Sequence, residues 1–286
     1  MKQSQLQQTL GLNTLRFFVL LVLLFLGIIL WEIFSKGAGV IGFPFLFDYP
    51  HKGMMEGGIF PTIMGTVFVT MVTTVFAIPL GIATAIYLSE YAASNGVNRL
   101  IRASIRNLAG VPSIIYGLFG VALFVEGLGF GVSVLSAGFT LGLLTLPYII
   151  TTTEEALKNV PQSYREGALA LGATKWEAIY SNVLPSAVSG IVTGSILGLS
   201  RAAGETAPIL FTGVAFYLRY LPSSVNDSFM AMPYHLYILS TQHHAIEEVR
   251  PLAYGTALVL ISVVFVLNII AFIIRYRYRN YNQARV

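Results

Sequence analysis

The sequence predicts an all-α, polytopic membrane protein of about six transmembrane helices with both termini cytoplasmic. Three observations point there. Of the 286 residues, 55% are hydrophobic and only 10% are charged, against roughly 25% charged in an ordinary soluble domain. Mean hydropathy is +0.73. The charges are also clumped, and the gaps between clumps are long enough to hold the ~20 apolar residues a spanning helix needs.

Taken in chain order, the charge-free runs are Phe17–Trp31, Gly57–Ser89, Asn107–Val125, Gly127–Thr153, Ala178–Ser200, Thr206–Leu218 and Pro251–Ile274. With Arg201 and Glu205 bridging the fifth and sixth runs, they place helices near 17–34, 61–88, 107–125, 132–153, 186–214 and 252–275. Ser228–Ile246 also lacks Lys, Arg, Asp and Glu. It contains Pro233, His235, Gln242, His243 and His244, however, and its apolar core Met230–Leu239 is too short to span. It reads as an interfacial helix. Residues 1–60 form an N-terminal tail, first span and outer loop; residues 61–286 form the core. Arg16 precedes the first apolar run as in a signal peptide, but no clear small-x-small cleavage site follows, which favours an uncleaved span.

Lys and Arg set the orientation. One side of a six-span arrangement carries Lys2, Arg16, Arg99, Arg102, Arg106, Lys158, Arg165, Lys175, Arg275, Arg277, Arg279 and Arg285; the other carries Lys36, Lys52, Arg219 and Arg250. The richer side, with both termini, is expected in the cytoplasm. The positive net charge, +4, then records topology and does not imply a nucleic-acid partner.

Several chemistries are excluded. With no Cys there is no disulfide, thiol nucleophile or thiolate metal site. None of the five lysines follows a G-x-x-x-x-G run, so the chain has no phosphate cradle for ATP. G-x-S-x-G and H-E-x-x-H are absent too. His243, His244, Glu247 and Glu248 place imidazole and carboxylate at i, i+4. A metal site needs three or four converging ligands, and a solvated outer loop explains them more simply. The chain is expected to be no enzyme and to hold no cofactor or metal of its own.

The stretch 154–186 is the one long polar segment with spans on both sides. Pro161 suits a first helical turn, Gly172 a C-terminal cap, and Thr174 with Glu177 a capping box. Two short helices therefore meet at Gly172–Ala173, and Pro185 opens the next span. Such a projecting helix-turn-helix suits docking of a cytoplasmic partner or, equally, rest on lipid headgroups. The segment resembles the E-A-A-x3-G-x9-I-x-L-P loop of ABC importer permeases, with Glu166, Ala168, Gly172, Leu184 and Pro185 in register. Two positions depart. Gly167 replaces the first Ala, at up to about 1 kcal/mol of helix propensity, and Asn182 stands in place of Ile. The resemblance implies that Glu166, Gly167, Ala168, Gly172 and Ala173 sit in a cleft of an ATP-hydrolysing subunit and receive its closure.

Arg201 and Glu205 read as an i, i+4 pair inside the fifth span. Ser186, Gly190, Gly194, Gly198 and Ala202 form a small-residue stripe beside them, which lets another helix approach closely. Pro208 is expected to kink the helix there. Ionisable groups at membrane depth usually serve a pathway or a partner, and a guanidinium matches phosphate oxygens in a bidentate fork. An interhelical salt bridge is the alternative. Leu199–Pro208 resembles the R-A-x-G-E-T-A-P signature of phosphate-importer permeases. Ala109–Leu118, Pro79–Tyr91 and Phe229–Tyr237 resemble other strings of that family, the last favouring the PstA over the PstC type. The resemblance implies a membrane subunit of an ATP-driven phosphate importer, with Arg201 and Glu205 on the substrate path. Its implied partners are a homologous second permease, two ATP-binding subunits that carry ATP and Mg, an extracellular phosphate-binding protein, and lipid. A permease for sulfate or molybdate, or an ion-coupled secondary transporter, is the rival reading.

Overall fold

The computed structural model describes residues 2–283 and is mostly helical. Of the charges counted above, Arg285 lies outside the described residues. Among the described residues five helical runs are long and apolar enough to cross a membrane: Leu10–Gly37, Phe60–Tyr91, Val134–Lys158, Lys175–Ala202 and Ile246–Arg277. A sixth candidate is a bent pair, Gly96–Leu108 and Ser113–Gly127, set 103° apart.

The helices are α1 (Lys2–Gly37), α2 (Phe43–Phe47), α3 (Phe60–Ile86), α4 (Gly96–Leu108), α5 (Ser113–Gly120), α6 (Val134–Lys158), α7 (Gln162–Ala170), α8 (Lys175–Ala178), α9 (Leu184–Ala202), α10 (Ala207–Thr212), α11 (Met232–Thr241) and α12 (Ile246–Gln283). A two-stranded hairpin, β1 (Pro50–His51) and β2 (Glu56–Gly57), pairs antiparallel between α2 and α3. Wide π-helical turns follow α3 (Tyr87–Tyr91) and α5 (Val121–Gly127), and one joins α8 to α9 (Ile179–Val183).

The centre of the bundle is α3 against α6, with α9 packed against α6 and touching α3. Small residues let these backbones close. A Cβ on Gly142 would fall 2.4 Å from Phe76, and one on Gly194 would fall 2.2 Å from Thr152 Oγ1. The α9 stripe therefore meets α6, with Gly190 on Ala156, Gly194 on Thr152 and Gly198 on Ile149. In the apolar interior the α3 threonines bond their own helix: Thr62, Thr66, Thr70, Thr73 and Thr74 each donate to a carbonyl one turn back. No hydroxyl of that set is left to demand water at membrane depth.

Three expectations change. The third expected span, 107–125, is not one straight helix: its apolar part begins at Ser113, beyond a bend. Residues 96–108 form a separate amphipathic helix that carries Arg99, Arg102 and Arg106, and the chain turns at Gly110–Pro112 because Pro112 cannot donate to a continuing helix. The fifth span stops at Ala202 and does not run on to 214. Pro208 sits in the first turn of the separate α10 and kinks nothing. The second helix of the 154–186 loop is no isolated unit, since α8 runs into α9 through the Ile179–Val183 turn. Pro185 supplies no N–H to the preceding turn, and the wide turn absorbs that break.

The segment 228–246 is, as expected, too short to span, and one face of it packs into the bundle. Only Met232–Thr241 is helical, and Met232, Pro233, His235, Ile238 and Leu239 are buried against α3 and α12. Its lead-in is held against α3: a Cβ on Gly65 would meet the Met230 carbonyl at 1.9 Å, and Thr66 Oγ1 accepts the Met232 N–H at 2.9 Å.

Candidate functional site

The two places singled out by the sequence lie in different parts of the bundle. The first is the break between α9 and α10. The helix ends in tight turns, with Ala203 N–H donating to Leu199 O, Gly204 N–H to Arg201 O and Glu205 N–H to Ala202 O. Glu205 thus leaves the helix, yet its carboxylate still reaches Arg201, with Oε1 3.4 Å from Nε. The Arg201 guanidinium also lies over the Tyr148 ring, 4.9 Å from its centroid. Tyr148 is fixed at its other end, where its hydroxyl donates to the Ala109 carbonyl at 3.2 Å, in the turn between α4 and α5. Beside it, the Tyr116 hydroxyl donates to Leu108 O at 2.9 Å.

Arg201's side chain is 52% exposed and Glu205's 17%. The cation is therefore left half-uncovered by this chain, on an aromatic base, with one long contact to a carboxylate. A guanidinium held so has donors left for an incoming anion. Tyr148 was not found from the sequence. It lies on α6, and nothing local to Arg201 identifies it.

The second place is the loop at 154–186. Leu171 ends α7, and Gly172 follows at φ +86°, in the left-handed region. Gly172 N–H donates to Leu169 O and Ala173 N–H to Ala168 O, the paired bonds of a Schellman stop. The expected capping box is present: Thr174 Oγ1 accepts the Glu177 N–H at 3.3 Å, and Glu177 Oε2 accepts the Thr174 N–H at 2.7 Å. Pro161 stands at the N-cap of α7, one position ahead of the helix.

No residue of α7 is buried. Glu166, Gly167 and Gly172 are exposed, and Ala168 and Ala173 are half-buried. Around them stand exposed apolar side chains: Leu169, Leu171 at 91%, and the stacked Trp176 and Tyr180. In water such side chains want a cover.

Ion pairs missed in the sequence tie this loop down. Arg165 grips Glu90, with Nη2–Oε1 at 2.7 Å and Nε–Oε2 at 3.1 Å. Glu154 takes Arg102 at 2.7 Å and Lys158 at 2.9 Å. Glu90 and Glu154 stand at the ends of apolar runs, but Arg165 and Arg102 lie 75 and 52 residues from them, and only Lys158, four residues from Glu154, is a local partner.

Among the described residues no group of three or more His, Asp or Glu side chains converges as a metal site. His243 is engaged at both nitrogens. Nε2 lies 2.8 Å from the Gly53 carbonyl, and Nδ1 accepts the Ala245 N–H at 3.1 Å. It pins the β1–β2 hairpin to the start of α12.

The family described as "Binding-protein-dependent transport system inner membrane component" matches residues 77–280. The chain is 34% identical over 253 residues to the phosphate transport system permease protein PstA 1 of Mycobacterium tuberculosis, covering 87% of this chain and 82% of that protein. It is 30% identical over 250 residues to the "Probable ABC transporter permease protein YqgI" of Bacillus subtilis, covering 84% and 85%. Among solved structures, that of a bacterial ABC transporter involved in the import of the acidic polysaccharide alginate superposes with a TM-score of 0.61. That match covers 92% of this chain and 96% of the other at 16% identity, and so speaks to the fold. The chain belongs to the binding-protein-dependent transport system inner membrane components, the permease subunits of ABC importers.

Proposed function

We propose that this permease subunit carries phosphate across the plasma membrane of a bacterial cell, and that the loop at 154–186 couples it to a separate ATPase. The observation that carries the substrate assignment is Arg201: a half-exposed guanidinium on an aromatic base, inside a sequence string that resembles the signature of phosphate-importer permeases. Relatives named as PstA phosphate permeases at 34–37% identity support it. A phosphate leaving water needs a positive charge that offers a planar fork, and Glu205 holds that charge while the path is empty.

In this reading both termini and the loop face the cytoplasm. The Schellman turn at Gly172 and the exposed Leu171, Trp176 and Tyr180 present Glu166, Gly167, Ala168 and Ala173 to the ATPase. That subunit binds ATP and Mg; this chain binds neither. A second permease completes the path, two ATP-binding subunits drive it, and an extracellular phosphate-binding protein delivers the anion.

The test is phosphate uptake by cells lacking this chain and by the same cells with it restored, with sulfate and molybdate as competitors. Restored uptake that neither competitor suppresses is the expected result. Restored uptake of a competitor but not of phosphate would move the assignment to another oxyanion.

A further inference from the structure

The exposed helix α7 touches α8 and the Ile179–Val183 turn, and it reaches the central helices α3 and α6 through a deeply set side chain. Arg165 lies on its first turn, with its side chain 15% exposed, and reaches Glu90, 7% exposed, in the π-helical turn at the end of α3. The contact is a fork, since Nη2 and Nε each donate to a different oxygen of the carboxylate. Arg165 also donates from Nη2 to Leu157 O and from Nη1 to Val160 O, both at 2.9 Å. The Leu157 carbonyl lies in the last turn of α6 and the Val160 carbonyl two residues past its end, where the helix dipole favours a cation. Four donations from one planar group therefore fasten α7 to both central helices.

The same α6 carries Tyr148, nine positions before Leu157, or about 14 Å along a helix. Tyr148 is the base under Arg201. A displacement of α7 delivered through Arg165 thus reaches α3 and α6 together, and α6 is rigidly continuous with the floor of the candidate path.

We propose that Glu90 and Arg165 form the strut that makes α7 move as one body with α3 and α6, so that Arg165 is a positioning residue for coupled transport. This rests on the reading of the 154–186 loop as the ATPase-docking element. A lysine at 165 would keep the charge but could not serve two carboxylate oxygens and two carbonyls from fixed directions.

The chain has no cysteine, so Ser163→Cys on α7 and Ala83→Cys on α3, both exposed, place two spin labels as its only thiols. In the assembled complex the distance between them is expected to be narrow and unchanged by ATP. In Arg165→Lys and Glu90→Gln it should broaden and shift with ATP, and the ATP hydrolysed per phosphate transported should rise by roughly tenfold or more. A parent distance that shifts with ATP would overturn the strut. So would variants that keep the parental distance, or whose hydrolysis and uptake fall together with the yield of folded complex. A parent with a fixed distance that transports no phosphate supports the strut and counts against the phosphate reading alone.

Discussion

Arg201 stands half-exposed at the end of α9, its charge shared between the Glu205 carboxylate and the Tyr148 ring. The i, i+4 spacing was enough to read the Glu205 contact from the sequence, and it survives even though Glu205 has left the helix. Tyr148 was not legible, because only the packing of α6 on α9 brings it under the arginine. The exposure also changes the expected cost of breaking the pair. A fully buried cation left alone would be strongly destabilising, whereas Arg201 is half-exposed, and an ion pair with such a cation contributes on the order of 1 kcal/mol. Glu205→Gln should therefore leave the complex stable. Arg201→Ala should lower phosphate uptake roughly tenfold or more, the scale of a lost charge-assisted bond, and Arg201→Lys should fall between. Uptake at matched membrane levels checks the series.

A second residue bears on pH. His235 on α11 is buried, its Nδ1 has no partner among the described residues, and burial, with the nearby His243, pushes its imidazole down to about 4 from 6.5. The folded chain thus keeps it neutral where the unfolded chain is protonated. That contribution to stability is complete above pH 6.5 and is lost as pH falls towards about 4. Thermal unfolding in detergent at about pH 7.5 and about pH 5 should show a larger acid loss in the parent than in His235→Gln. Equal losses would show that His235 does not report the burial described.

At the level of elements, the local stop and start signals were legible and the long-range ones were not. Gly172 at φ +86° and the Thr174–Glu177 box are set by a few adjacent residues, and both stand as expected. The small-residue stripe was also right about close approach, with α6 as the partner. The bend before Ser113 and the stop at Ala202 were misplaced because apolar runs locate membrane depth without marking where a helix turns inside it. Gly172→Leu tests the docking turn without a clash, since among the described residues nothing lies within 4 Å of an added Cβ. The left-handed backbone would cost about 1–2 kcal/mol, and the branched side chain would stand where the ATPase approaches. The expected outcome is a folded, membrane-inserted permease that no longer co-purifies with its ATPase; parental co-purification and transport would remove the docking role.

For the whole molecule, charge clumping was sufficient to read the class and about six spans, because few soluble surfaces could be covered with so little charge. It also carried the proposed orientation, which a thiol can test. Ser240 on α11 is exposed, so Ser240→Cys should react with a membrane-impermeant reagent added outside intact cells. Labelling only after the membrane is opened would invert the topology. What charge and hydropathy could not supply is the substrate and its drive. These come together in one measurement: accumulation of radiolabelled phosphate by proteoliposomes holding the purified complex of this chain, its second permease and its ATPase, with loaded binding protein on the outward face. The account predicts accumulation that requires ATP on the side of the 154–186 loop and falls roughly tenfold or more in Arg201→Ala with the complex still assembled. Phosphate accumulation that proceeds without ATP, or at the parental rate in Arg201→Ala, would contradict it.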